Sequence, residues 1–219
     1  MNMAGVLLGL SAAYLLGSFP TGLVVGRLFF RKDPREAGSG ATGATNIFRQ
    51  FGPAAGIAVS LVDLGKGALA VWVCSALGAG SAAVASPDPL LPLKIAAALL
   101  AILGHVYPVF VGFRGGKGVA TGAGALLVIA PAATLYSTLG FALTLGLSGI
   151  VSASSMVAAA ILPLAVAAGA VGAPPSPWLL GFSLILAAFV FFTHRANIGR
   201  ILKGEEKSFE KLRFLRRKR

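Results

Sequence analysis

The stretch GVATGAGALLVIAPAATLYSTLGFALTLGLSGIVSASSMVAAAILPLAVAAGAVGAPPSPWLLGFSLILAAFVFFT, residues 118–193, contains no Asp, Glu, Lys or Arg. Only hydrocarbon solvent makes so long a gap sensible, because an unpaired charge near the bilayer centre costs several kcal/mol. The run is flanked by Lys117 on one side and by His194 and Arg195 on the other. Basic residues mark the cytoplasmic side, so the run starts and finishes inside and holds an even number of crossings. A crossing takes about 20 apolar residues. Two helices of about 35 residues would overshoot the bilayer, whereas four short ones fit. Breaks are offered at Pro131, at GLSGIVSASS (146–155) and at GAPPSP (172–177).

Working outward, three more apolar segments precede the run, at about 3–28, 52–77 and 92–111. A basic loop, 31–50, follows the first. A Pro-containing loop at 79–91 that holds Asp88 suits the outer face. The expectation is an all-α integral membrane protein: one transmembrane domain over 1–219, a compact bundle of about seven helices. The N-terminus lies outside, and a basic tail at about 196–219 lies in the cytoplasm. Two crossings instead of four in the uncharged run would make five.

Composition agrees. The chain is 56% hydrophobic and 12% charged, against roughly a quarter charged in a soluble domain. The N-terminal stretch has no basic flank and no small-residue cleavage site, so it reads as a retained first span. Cys74 is the sole cysteine, which excludes disulfides and Cys-based metal sites. No Asp/Glu/His ligand cluster is visible, so neither metal nor cofactor is expected. The net charge of +12 gathers in three places: Arg27 to Arg49, Arg114 with Lys117, and Arg195 to Arg219. As topology signals and headgroup contacts these suit a membrane partner, and nucleic acid is not expected. The 29 glycines fit close helix packing in a solvent that supplies no hydrophobic drive between helices. The spacings Gly22…Gly26 and Gly118…Gly122 are examples.

Polar residues collect in four stretches at the expected cytoplasmic face. REAGSGATGATNIFR (35–49) sets Arg35, Ser39, Thr45 and Asn46 among Gly38, Gly40 and Gly43. Closely spaced glycines let several N–H groups turn toward one anion. GHVYPVFVGFRGGKGVATG (104–122) brings His105, Arg114, Gly115, Gly116, Lys117 and Gly118. The nucleotide P-loop requires Gly, four residues, Gly-Lys and then Ser or Thr. Val111 stands at the first position and Gly118 at the last, so the pattern fails twice. A phosphate cradle at a helix start remains, with Lys117 adding a full charge. SGIVSASS contributes Ser148, Ser152, Ser154 and Ser155, residues also used as glue between helices. FFTHRANIGRILKGEEK (191–207) places His194, Asn197 and Arg200 on one helical face, near Arg195 and Glu206. Deeper in the bilayer, Asp63 and Lys66 stand three apart. Such a pair either serves a function or locks two helices together.

Together these residues resemble the acyl-phosphate-dependent glycerol-3-phosphate acyltransferase family of bacteria, the PlsY type. The resemblance runs from GSFPTG (17–22) to the tail. Its three cytoplasmic motifs stand here as REAGSGATGATN, GHVYPVFVGFRGGKGVAT and HRANIGRILKGEE. Ala41 occupies a position where the family usually has Asn, so no role is carried to it. The resemblance implies transfer of a long-chain acyl group from acyl phosphate to the 1-hydroxyl of glycerol 3-phosphate. The products are lysophosphatidic acid and phosphate, and the place is the cytoplasmic face of the inner membrane, in a monomer. It implies catalytic roles for Ser39, Lys117, His194 and Asn197. Phosphate binding falls to Arg35, Gly38, Gly40, Thr45, Asn46, His105, Arg114, Gly115, Gly116 and Gly118. Ser152, Ser154, Arg195 and Glu206 are further candidates, Glu206 in a structural capacity.

Acyl-CoA-type glycerolipid acyltransferases carry His, four residues, Asp. Here Phe110 follows His105 at that spacing and Gly199 follows His194, so that dyad is absent. The rival from another class is a transporter of a phosphorylated small molecule. It would place charges or broken helices near the midplane in both halves, and 118–193 offers no charge. A non-catalytic scaffold would leave three polar motifs without purpose.

Overall fold

A computed structural model describes residues 2–79, 88–170 and 176–214. Most of the expected outer loop 79–91, part of the GAPPSP break and all but Phe214 of the terminal FLRRKR lie outside the described residues. Among those described there are ten α-helices and no strand. They fall into two compact units, residues 1–129 and 130–219.

The first unit holds α1 (Met3–Ser18), α2 (Thr21–Phe30), α3 (Ala44–Phe51), α4 (Pro53–Ala79), α5 (Leu91–Val106) and α6 (Val119–Ile129). The second holds α7 (Pro131–Ser148), α8 (Val151–Ala167), α9 (Pro177–Thr193) and α10 (Arg195–Leu202). The three breaks expected in the uncharged run all fall between helices. Pro131 opens α7, Gly149 in the left-handed region (φ 72°) ends it, and Pro177 opens α9. Reach is less even than expected. At 11 residues, α6 extends about 16 Å, half the hydrocarbon thickness. By length and composition α4 and α5 can each cross, and four crossings result if the bent pairs α1–α2 (40°) and α9–α10 (60°) each count as one.

Pro20 explains the first bend: it has no N–H, and its ring collides with the carbonyl four residues back. Phe19 caps the end of α1, and its carbonyl accepts from Thr21 N–H at 3.0 Å and from Lys66 Nζ at 2.9 Å. Polarity is distributed inside out. Leu164 is 68% exposed while Asp63 is 2% exposed, as hydrocarbon solvent requires.

Within the first unit α4 is central, packed by α1, α3, α5 and α6. Contact is backbone to backbone. A Cβ on Gly17 would strike the Ala101 carbonyl, and one on Gly104 the Tyr14 carbonyl, so α1 and α5 meet through a reciprocal glycine pair. Gly67 against Thr121 and Gly124 against Leu64 repeat this between α4 and α6. The spacings read from the sequence pointed to other glycines: Gly22 faces the Thr42 carbonyl of a loop, and Gly118 is held at φ 79°. Forcing α4 and α6 apart with Gly124→Leu is expected to cost about 2 kcal/mol or more. Thermal unfolding of the detergent-solubilised protein would measure it, and an unchanged midpoint would contradict the packing.

In the second unit α7 and α8 form a hairpin that α9 joins along α8. The chain after α10 returns to the hairpin turn. Phe209 N–H donates to the Gly149 carbonyl at 2.8 Å and Phe214 N–H to that of Gly146 at 2.7 Å. The Phe214 ring lies where a Gly146 side chain would be.

Candidate active site

The loop between α2 and α3 is organised by two residues. Asp33 accepts from Arg35 Nε at 3.0 Å and Nη2 at 2.8 Å, and from Arg27 Nη2 at 2.9 Å. The Arg35 hydrogen bonds hold the Asp33 carboxyl well below the usual carboxylate range, against the opposing effect of burial. Arg35 also donates to the Val111 carbonyl at 3.3 Å. Expected as a phosphate ligand, it is engaged in tying this loop to the second motif. Asn46, buried at the start of α3, is the other organiser. Its Nδ2 donates to the carbonyls of Pro34 (2.9 Å) and Ala41 (2.8 Å), and its Oδ1 accepts from Ser39 N–H at 3.1 Å. The Asn46 amide therefore shapes the loop, and this bond sets where exposed Ser39 stands. Gly38 adopts φ 67° with Asn46 Oδ1 pressed against it, a position closed to side chains. Gly40 has φ 69°, and Thr45 is half-buried.

The second motif runs from the end of α5 to the start of α6. Gly115 N–H donates to the Val106 carbonyl and Gly116 N–H to the His105 carbonyl, both at 3.1 Å. These two N–H groups were expected to face an anion; they are spent on the end of α5. The backbone N–H groups of the first turn of α6 have no intrahelical acceptor, and such a helix start is suited to an anion. Gly118 provides the left-handed residue immediately before it, and half-buried Lys117 stands at its mouth. Arg114 is exposed. Thr42 N–H reaches the Gly115 carbonyl at 3.4 Å, joining the first two motifs.

His105 is buried, with Nδ1 3.1 Å from Thr121 Oγ1 and 3.6 Å from Asp63 Oδ1, and its Nε2 edge lies against Gly116. It braces the loop from below. Thr21 and Thr121, which also belong to this cluster, were missed in the sequence. The signals were their places in the sequence, Thr21 directly after Pro20 and Thr121 four residues after Lys117.

In the second unit Glu206 is the hub. Its Oε1 accepts from Asn197 Nδ2 at 2.7 Å and Ser152 Oγ at 2.9 Å, and its Oε2 from Arg200 Nε at 2.6 Å. Burial works against the charge, but these hydrogen bonds outweigh it and hold the Glu206 carboxyl below its usual range. Of the four serines near the α7–α8 turn, Ser152 alone is seen to reach this hub. The hydroxyls of Ser148, Ser154 and Ser155 donate to carbonyls of the preceding turn. His194, buried at the α9–α10 bend, has Nδ1 2.8 Å from the Val190 carbonyl. A carbonyl only accepts, so Nδ1 carries the proton. Arg195 stacks over Phe192 at 4.5 Å and donates to its carbonyl, which is interface anchoring. Among the described residues no group of acidic, His or Cys side chains could hold a metal.

Helices with apolar exteriors around a buried polar cluster and a second polar hub describe an integral membrane protein. The chain belongs to the glycerol-3-phosphate acyltransferase family, whose model matches residues 7–204. A glycerol-3-phosphate acyltransferase of Enterococcus faecalis (strain ATCC 700802 / V583) is 43% identical over 205 residues, covering 90% of this chain and 88% of the relative. One from Staphylococcus carnosus (strain TM300) is 41% identical over 209 residues, covering 92% and 96%. The crystal structure of PlsY (YgiH), an integral membrane glycerol 3-phosphate acyltransferase, in its glycerol 3-phosphate form superposes with a TM-score of 0.81. The two are 33% identical, over 93% of this chain and 95% of that one. Its lysophosphatidic acid form gives 0.77 at 32% identity, with the same coverage. The protein is an integral membrane acyltransferase.

Proposed function

We propose that this chain moves a fatty acyl group from acyl phosphate to the 1-hydroxyl of sn-glycerol 3-phosphate, releasing lysophosphatidic acid and phosphate. The observation that carries the reading is the run Gly116-Lys117-Gly118 at the start of α6, within a chain matched by the family over 7–204. A short anion cradle at a helix start suits a phosphomonoester. An acyl phosphate is already activated, so the reaction calls for no nucleotide or metal.

The α6 start and Lys117, with Arg114 beside them, hold the phosphate of glycerol 3-phosphate. The Ser39–Thr45 loop, set by Arg35, Gly38, Gly40 and Asn46, receives the acyl phosphate. His194 and Asn197 orient the attacking hydroxyl and stabilise charge developing on oxygen. The hydroxyl attacks the acyl carbon directly, the C–O bond to phosphate breaks, and the departing phosphate takes the proton. A base beside Ser39 would be needed for an acyl-serine; its neighbours here are the Asn46 amide and two glycines.

Residues 1–219 act as a single transmembrane acyltransferase domain, a monomer in the bacterial inner membrane with its chemistry at the cytoplasmic face. The N-terminus is outside, the C-terminus inside, and the crossings number seven, or five if 118–193 crosses only twice. Purified protein given radiolabelled glycerol 3-phosphate and palmitoyl phosphate should form lysophosphatidic acid. Product from palmitoyl-CoA and none from palmitoyl phosphate refutes the donor. Uptake into proteoliposomes without product would favour the transporter instead.

A further inference from the structure

Beneath the second motif, three helices of the first unit, α2, α4 and α5, meet at a single buried oxygen, Asp63 Oδ1, and α6 joins them through His105. Thr21 Oγ1, at the start of α2, donates to it at 2.9 Å. Lys66 Nζ, one turn along α4, lies 2.7 Å away and also caps the Phe19 carbonyl. His105 Nδ1, from α5, lies 3.6 Å away and contacts Thr121 of α6 at 3.1 Å. Both members of the ion pair are under a tenth exposed.

Adhesion between helices does not account for this pair. Apolar residues of similar volume hold helices together at least as well as a buried ion pair. The α4–α6 contact is already closed by Gly67 and Gly124. What the pair adds is direction. It fixes the plane of the His105 ring through Nδ1, and the opposite edge of that ring is the surface on which Gly116 rests. The same residue's carbonyl accepts the Gly116 N–H. Thr121, which contacts Nδ1, lies in the first turn of α6, four residues after Lys117.

We propose that Asp63 and Lys66 are positioning residues for the acyl transfer. Through His105 and Thr121 they set the Gly116–Lys117–Gly118 backbone, and with it the aim of the Lys117 ammonium and of the α6 N–H groups at the substrate phosphate. The kinetic part of this rests on the acyltransferase reading; the part that concerns loop order does not.

The test uses the full chain in detergent micelles. In the double variant D63L/K66M both charges are replaced by apolar groups, so no charge is left buried and alone. Its thermal midpoint should stay close to that of the wild type. The KM for glycerol 3-phosphate should rise roughly 10-fold or more, with a small change in the KM for palmitoyl phosphate, because misplacement of a binding group by about an ångström is costly. Amide hydrogen exchange in peptides covering 113–119 should accelerate, with peptides from α9 unchanged. T121V, which removes the hydroxyl at Nδ1 while keeping the volume, should shift both readouts in the same direction by less. A folded double variant with wild-type KM and wild-type exchange overturns the proposal. If the double variant does not fold, unchanged exchange and KM in T121V overturn it. A wild type that forms no lysophosphatidic acid sinks the acyltransferase reading instead, while the exchange readout still decides whether the pair orders the loop.

Discussion

Lys117→Ala is expected to raise the KM for glycerol 3-phosphate by about 10- to 100-fold, the equivalent of one charge-assisted hydrogen bond to phosphate. The effect should fall mainly on KM. A contact made equally to bound substrate and to the transition state is uniform binding, and its loss leaves kcat nearly intact. The geometry argues for this placement. Gly115 and Gly116 have their N–H groups bonded to the end of α5, so the backbone donors this motif can offer an anion are those of the first turn of α6, which Lys117 adjoins in sequence. Lys117→Arg should recover the charge but only part of the affinity. The guanidinium fork is wider than an ammonium and spreads its charge over a plane, so it does not reproduce the compact contact of the ammonium. The KM for palmitoyl phosphate should stay unchanged in both variants. Steady-state kinetics with each substrate varied in turn decides the matter, and an unchanged KM for glycerol 3-phosphate removes Lys117 from the cradle.

The helical class and the breaks of the uncharged run were legible because hydrocarbon solvent imposes them. Charge is excluded over long stretches, and Pro131, Gly149 and Pro177 end or open helices through backbone rules that operate locally. The lengths between breaks were less legible. The shortness of α6 follows from where Gly118 can start a helix and where Pro131 stops one, and apolarity alone does not reveal a start. The same holds for glycine packing. Spacing along one helix identified Gly22 and Gly26, whereas the pairs that close the interfaces, Gly17 with Gly104 and Gly67 with Gly124, lie on different helices and share no local pattern.

The candidate site shows a similar division. Residue types and motif order point to these segments, but side chains that hold a loop and side chains that meet a substrate look alike in a sequence. Arg35 and Asn46 were read as anion ligands because both can donate to phosphate. Asp33 and the carbonyls of Pro34 and Ala41 engage them first. The motif that names Asn46 is thus partly a folding signal. Ala41, which stands where relatives usually have Asn, contributes its carbonyl to that same amide, a contact any residue can make. Glu206 was read as structural, and in the structure its carboxylate accepts from Ser152, Asn197 and Arg200.

Those three donors make Glu206→Gln the second large effect. The carboxylate offers one oxygen to Ser152 and Asn197 and the other to Arg200. A glutamine amide has only one oxygen, so either its NH2 confronts Arg200 Nε, donor against donor, or it confronts Asn197. Turnover is expected to fall roughly 100-fold, because Asn197, proposed above to orient the attacking hydroxyl, loses its fixed orientation. The variant should also lose about 2 kcal/mol of stability near neutral pH, the worth of a charge-assisted hydrogen bond in a site where Glu206 is 3% exposed. The pH dependence carries a definite sign. The folded carboxyl lies below its usual range, so its stabilisation is complete above the unfolded value of about 4.3 and is lost as pH falls through the folded value. Wild type and variant should therefore differ most at pH 6–7, and the gap should close under acid conditions below about pH 4. Thermal unfolding in detergent across that range, together with kcat at neutral pH, measures both effects. A gap that stays constant into acid, or a variant with wild-type turnover, would mean that Glu206 neither bears its charge for Arg200 nor holds Asn197 in place.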